Sequence, residues 1–156
     1  MSLFVKLQQR QAEGRPIRIG LIGAGKFGSM YLAQVPRTPG VHLVGIADLS
    51  PAGVHTNLAR VGWEPERLQA KSLDDAVKHG TTHVSDDWQA LVRHPAIDVV
   101  VECTGHPIAA VDHCLEAFTH GKHVVNVTVE APVPTPTPSP EPTPTPTPPT
   151  PSARRC

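Results

Sequence analysis

The stretch "PIRIGLIGAGKFGSMYL" constrains this chain more than any other. Ile17, Ile19, Leu21 and Ile22 make a short apolar run that meets Gly23, Gly25 and Gly28 in the pattern G-x-G-x-x-G, and a helix-like segment follows at once. A strand that enters such a turn and leaves it as a helix is the first half of a βαβ unit. Each glycine has a physical task. Gly23 permits the tight turn, Gly25 lets backbone approach a pyrophosphate without a Cβ in the way, and Gly28 lets the helix pack closely on the sheet. The free N–H groups and positive dipole end of that helix then face the phosphates. Ala24, Lys26 and Phe27 complete the expected phosphate loop.

Asp48 closes the next apolar run, "VHLVGIAD", 20 residues beyond Gly28. Asp48, with Leu49 beside it, is the expected adenosine-ribose position. A carboxylate there accepts hydrogen bonds from both hydroxyls and repels a 2′-phosphate, which favours NAD over NADP. The alternative is a helix-entry carboxylate in "DLSP". Arg37 and Arg60 are the cations that could still meet a 2′-phosphate.

The rest of the first 131 residues repeats the alternation. "SPAGVHTNLARVG" reads as a helix with Ser50 as N-cap and Pro51 at its first position. "SLDDAVKHG" and "DDWQALVRH" read as short helices, with "THVSDD" a short strand between them. "AIDVVVECTG" is a strand buried on both faces. "PIAAVDHCLEAFTHG" is a helix from Pro107 to a glycine stop at Gly121, and "KHVVNVTV" is a fifth strand. "MSLFVKLQQRQAEG" spaces Leu3, Phe4, Leu7 and Ala12 as a short amphipathic helix. This pace of strand and helix predicts an α/β, Rossmann-type, doubly wound parallel sheet of about five strands with strand one central. A sixth strand would fall after Ala131, where the prolines begin.

Eleven of the 18 prolines lie between Pro132 and Pro151. Proline at alternate positions fixes φ and removes amide donors, so the sequence predicts a disordered tail over 132–156, whose polyproline-type stretch from Pro132 to Pro151 would be about 60 Å long if extended. A stiff linker, a ligand for proline-reading domains and an aberrant end from truncation are the three accounts, of which truncation is favoured. Residues 1–131 are then the globular unit.

Net charge is zero from 14 basic and 14 acidic residues, which gives no electrostatic case for nucleic acid or an anionic membrane. Three cysteines without framework spacing, and no apolar run suited to a signal peptide or membrane span, predict a cytoplasmic protein. The nine histidines include no HExxH and no paired cysteines, so no metal site is expected.

"ECTGHP" ends the most strand-like run, at the sheet edge where ligands bind in open α/β folds. Thr104 and Gly105 would bring a hydroxyl and bare N–H groups to the cofactor, on its nicotinamide-ribose side. Cys103 reads as a small hydrophobe, since no activating base is fixed beside it. His106, Cys103 and Glu130 are the only candidates for proton transfer, and the catalytic residues are not identified.

"RIGLIGAGKFGSMYL", "GIADLSP", "IDVVVECTG" and "AFTHGKHVVNVTVEA" together resemble the N-terminal NAD(P)-binding domain of homoserine-dehydrogenase-like oxidoreductases. More narrowly they resemble a subgroup similar to 1-deoxy-D-xylulose-5-phosphate reductoisomerase, whose chains end in a SAF domain. The resemblance implies an NAD(P) cofactor, with the phosphate loop on Gly23 to Gly28, the ribose position on Asp48 and the nicotinamide-side turn on Thr104 and Gly105. It implies NADPH-dependent reduction of a small aldehyde, ketone or sugar phosphate, and oligomers in full-length relatives. Thr128 and Val129 stand where homoserine dehydrogenases carry an Asn-Lys pair, so lysine-assisted alcohol oxidation is not supported. The family's substrate domain is expected beyond Ala131. Two functional classes follow: the cofactor-binding part of an oxidoreductase, or a stand-alone nucleotide-binding regulatory module without turnover.

Overall fold

The computed structural model describes residues 2–128 of the 156-residue chain. Glu130, Val129 and the proline-rich stretch 132–156 lie outside the described residues. Five strands, β1 (Ile17–Ile22), β2 (Val41–Ala47), β3 (His83–Ser85), β4 (Val99–Glu102) and β5 (His123–Asn126), form one sheet. All pairings are parallel and the order is β3-β2-β1-β4-β5, so strand one is central, as the alternating sequence predicts. The six α-helices are α1 (Leu3–Ala12), α2 (Lys26–Gln34), α3 (Pro51–Arg60), α4 (Leu73–His79), α5 (Trp88–Arg93) and α6 (Pro107–Thr119).

Each central strand is apolar on both sides because helices cover both faces. Ile19, Leu21, Leu43, Ile46 and Val101 pack with Leu32 of α2 and with Val54 and Leu58 of α3. Ile22, Val44 and Val100 pack on the other face with Ala76, Leu91, Val92 and Ala117 of α4, α5 and α6. Trp63 joins the first layer: it is buried, and its indole N–H donates to the Leu32 carbonyl at 2.8 Å, which fastens α2 to the segment after α3.

Local signals set the helix ends. Ser50 caps α3 and Ser72 caps α4, while Gly80 closes α4 at a φ of 68°, a conformation that costs glycine little. Helix α1 forms with Ser2 as its cap, but none of its residues is buried, and Leu3 and Phe4 are exposed. It is held instead by Gln11, whose Oε1 accepts the Gly40 amide at 2.7 Å. Of the apolar face expected for this helix only Leu7 is half-buried, so among the described residues that face is only partly covered.

Between β1 and β2 the register slips. Ile19 pairs with Leu43 but Gly20 pairs with Gly45, which leaves Val44 as the extra residue of a bulge. The two facing glycines make room for α5. A Cβ at Gly45 would lie 2.5 Å from Leu91 Cδ1 and 2.6 Å from Leu73 Cδ2, and one at Gly20 would lie 3.0 Å from Leu91 Cγ. Leu91 sits in that hollow. No helix among the described residues is long and apolar enough to cross a membrane.

Candidate functional site

The site lies at the carboxyl ends of β1, β2 and β4. Gly23 leaves β1 at a φ of 89°, where a Cβ would come within 2.8 Å of the Thr104 backbone. Glycine is needed there twice over, for conformation and for space. Gly28 is confined too, since its Cβ would lie 2.6 Å from the Gly23 carbonyl oxygen. At Gly25, by contrast, an added Cβ would meet nothing within 4 Å. The three glycines thus divide as the fingerprint requires: two for backbone packing, one facing open space.

Helix α2 begins in that space without a side-chain cap. Ser2, Ser50, Ser72, Asp87 and His106 cap the other five α-helices. The first-turn N–H groups of α2 have no intrahelical partner, so this helix end offers donors and a positive dipole to an anion. These features fit a dinucleotide pyrophosphate. Lys26 and Phe27 stand exposed on the first turn, and Ala24 is buried beneath it.

Asp48 does more than end β2. Its Oδ2 accepts the Ala24 amide at 2.8 Å and its Oδ1 accepts the Ser50 amide at 2.9 Å. The helix-entry role and the loop-edge position are therefore both real. One carboxylate ties the glycine turn to the start of α3, and each oxygen keeps acceptor capacity for a hydroxyl. Leu49 beside it is almost wholly exposed, at 97%.

A cleft of about 510 Å³ opens here, lined by Gly23, Gly25, Asp48, Leu49, Asp86, Trp88, Thr104, His106, Ala109 and His113. Five of the ten residues singled out by sequence, Gly23, Gly25, Asp48, Leu49 and Thr104, line it. Ala24, Lys26, Phe27 and Gly28 belong to the adjoining loop and helix. Gly105 turns away: its amide donates to Thr128 Oγ1 at 3.0 Å. The Thr104 amide donates to Glu102 Oε1 at 3.2 Å. The expected bare N–H groups of this turn are thus occupied within the protein.

Glu102 organises that turn. It is wholly buried, and its Oε1 also takes the Thr104 hydroxyl at 2.5 Å and faces His113 Nδ1 at 3.4 Å. Burial pushes the Glu102 carboxyl up, but hydrogen bonds from His113, Thr104 and Thr128 more than offset it and hold the group below its usual value. The ring of His113 meets Trp88 edge-on at 4.5 Å. Sequence reasoning missed Asp86, Trp88, Glu102 and His113. The first two directly follow β3 at the ligand-binding edge, so the edge rule could have found them. Glu102 and His113 come together only through packing of α6 on β4.

The proton-transfer candidates fare unevenly. Cys103 is buried with its Sγ 2.9 Å from the Gly23 carbonyl, and burial, with the charges of Glu102 and Asp48, pushes its thiol up to about 12. It is a packing residue. His106 spends Nδ1 as acceptor for the Ala109 amide at 3.3 Å, capping α6. Other histidines meet carboxylates one at a time, as His94 meets Asp74 and His79 meets Asp75.

An uncapped helix behind a G-x-G-x-x-G turn, on a parallel sheet of this order, defines a Rossmann-type dinucleotide-binding domain of the oxidoreductases. Residues 23–137 match the family model described as homoserine dehydrogenase, NAD binding domain. The chain belongs to that family, and its cofactor is NAD(P). It is 32% identical over 116 residues to a homoserine dehydrogenase of Methylobacillus glycogenes, covering 71% of this chain but only 24% of that protein. Among solved structures it is similar to an oxidoreductase-like protein of Yersinia pestis, at 25% identity and a TM-score of 0.53, over 71% of this chain and 26% of the other. It shares its fold with myo-inositol dehydrogenase of Lactobacillus casei in complex with NAD(H) and myo-inositol, at 18% identity and a TM-score of 0.53, over 71% and 28% of the two chains.

Proposed function

We propose that residues 1–131 are the cofactor-binding domain of a cytoplasmic oxidoreductase and that 132–156 are a separate tail. Gly23 to Gly28 receive the pyrophosphate, and Asp48 and Leu49 receive the adenosine ribose. The observation that carries this is α2, the one α-helix of six among the described residues without a side-chain cap, opening beside a glycine at which an added Cβ meets nothing within 4 Å. The cleft between Asp48 and Thr104 takes the adenosine half. That reading moves Thr104 from the nicotinamide side expected from sequence to the adenosine side, because it shares one cleft with Asp48, Leu49 and Asp86. The wording of "ECTG" and "GKHVVNVTVEA" supports the narrower assignment to relatives similar to 1-deoxy-D-xylulose-5-phosphate reductoisomerase with a SAF domain. On that reading the substrate is a sugar phosphate or a small aldehyde or ketone, bound by a further domain that also supplies proton transfer.

The raised thiol of Cys103 and the capping role of His106 favour a second reading, in which this chain binds dinucleotide without turnover. Two measurements separate the possibilities. Titration with NADH and NADPH, followed by amide chemical shifts, should perturb residues 24–28 and 48–49. Shifts confined to the opposite edge of the sheet, around Arg18 and Arg37, would overturn the site. Oxidation of NADH or NADPH that depends on aspartate semialdehyde or deoxyxylulose phosphate would rule out the reading without turnover.

A further inference from the structure

The dinucleotide preference follows from charge and hydrogen-bond direction in the adenosine cleft. A carboxylate in the position of Asp48 is the general device by which such folds favour NAD(H); we infer that Asp86 and the Glu102–Thr104 pair are further determinants of that choice in this cleft. The inference rests on the assignment of the adenosine half to this cleft.

Three observations carry it. First, no lysine or arginine lines the cleft, whereas Asp48 and Asp86 both do. Asp86 is exposed and has no hydrogen bond or ion pair among the described residues, so its charge is not offset by a protein partner. Second, the two cations that could have come round to a 2′-phosphate are elsewhere. Arg37 lines a different cleft, at the amino-terminal edge of the strands, and Arg60 lies in the last turn of α3. Third, Glu102 fixes the direction of the Thr104 hydroxyl. That hydroxyl gives its hydrogen to Glu102 Oε1 at 2.5 Å and accepts the His106 amide at 3.2 Å. With its one hydrogen committed, Thr104 can only accept from a ligand.

The cleft therefore presents acceptors where a ribose places hydroxyl donors. A 2′-phosphate brings only acceptor oxygens and negative charge at working pH, so it meets repulsion from Asp48 and Asp86 and no donor from Thr104. Glu102 adds a buried carboxylate directly behind Thr104. Glu102 is thus a positioning residue: it acts through the hydroxyl it orients. This preference runs against the NADPH use implied by the reductoisomerase-like subgroup.

The test is calorimetric titration with NADH, NADPH, 5′-AMP and 2′,5′-ADP at pH 8 and low salt. NADH should bind at least about tenfold more tightly than NADPH, and 5′-AMP more tightly than 2′,5′-ADP, with both gaps shrinking as salt rises. Asp86→Asn should narrow the gap by roughly threefold with unchanged thermal stability, because the side chain is exposed and unpaired. Glu102→Gln, checked for folding by circular dichroism, should narrow it too, since a carboxamide can donate and release the Thr104 hydrogen. A purely structural role for Glu102 would weaken all four ligands equally and leave the ratios unchanged, which would remove it from the proposal. Equal or tighter binding of NADPH by the unmodified protein overturns the selectivity and leaves the cofactor site standing. Binding of neither dinucleotide removes the site and the selectivity together.

Discussion

Gly25→Val and Gly28→Ala separate the two uses of glycine in one loop. Gly25 has a φ of −68° and open space where a side chain would go, so valine fits the free protein. Valine is a poorer N-cap than glycine, which costs about 1 kcal/mol, and the fold should survive. Its branched side chain, however, occupies the approach of the pyrophosphate to the first-turn amides. Losing two charge-assisted hydrogen bonds of about 1.5 kcal/mol each amounts to about 3 kcal/mol, or roughly 100-fold in Kd. Gly28→Ala should behave differently. Its Cβ would lie 2.6 Å from the Gly23 carbonyl oxygen, a backbone atom that cannot swing aside. Such overpacking costs about 1–3 kcal/mol in stability. Denaturant unfolding and NADH calorimetry on both variants make the comparison. A Gly25→Val protein that binds NADH like the parent would refute the assignment of this loop to the pyrophosphate. A Gly28→Ala protein as stable as the parent would refute the packing account.

Two other outcomes are expected. Cys103, with its thiol pushed up to about 12, should resist iodoacetamide at pH 8 in the folded protein and react after denaturation, as peptide mass spectrometry would reveal; rapid labelling of folded protein would contradict its burial. His42 is held below its ordinary value by burial, against a hydrogen bond to the Thr81 carbonyl. A base depressed in the folded state stabilises the fold above its unfolded value of 6.5 and loses that contribution as pH falls through the folded value. The unfolding midpoint should therefore drop as pH falls below about 6.5, and less steeply in His42→Gln; identical acid limbs for the two proteins would refute the assignment.

The sequence was most informative where function depends on backbone. Gly23 and Gly28 announce their turn because backbone crowds out any other residue there, and Ser50, Ser72 and Gly80 mark helix ends by short-range chemistry. Nothing in the sequence sets the facing glycines Gly20 and Gly45 apart from their strands. Their purpose, a seat for Leu91, arises from a residue distant in the chain. The Val44 bulge is equally silent, since one extra apolar residue leaves no trace in a run buried on both faces. The position of Asp48 at the end of β2 was legible from its spacing, but its tie to the Ala24 amide was not. Glu102 looked like one more letter in "VVVECTG", and only the packing of α6 reveals it as the anchor of Thr104 and His113.

The two tryptophans give the domain an optical reporter at each of two places. Trp88 lines the cleft beside His113, so on the proposed reading a cofactor bound there should change its emission. Trp63 lies in the opposite layer, buried and bonded to the Leu32 carbonyl, where its emission tracks the seating of α2 and not the ligand. In Trp63→Phe the remaining signal should follow cofactor occupancy, and in Trp88→Phe it should follow unfolding. The two single-tryptophan variants thus give separate unlabelled readouts, one for binding and one for integrity.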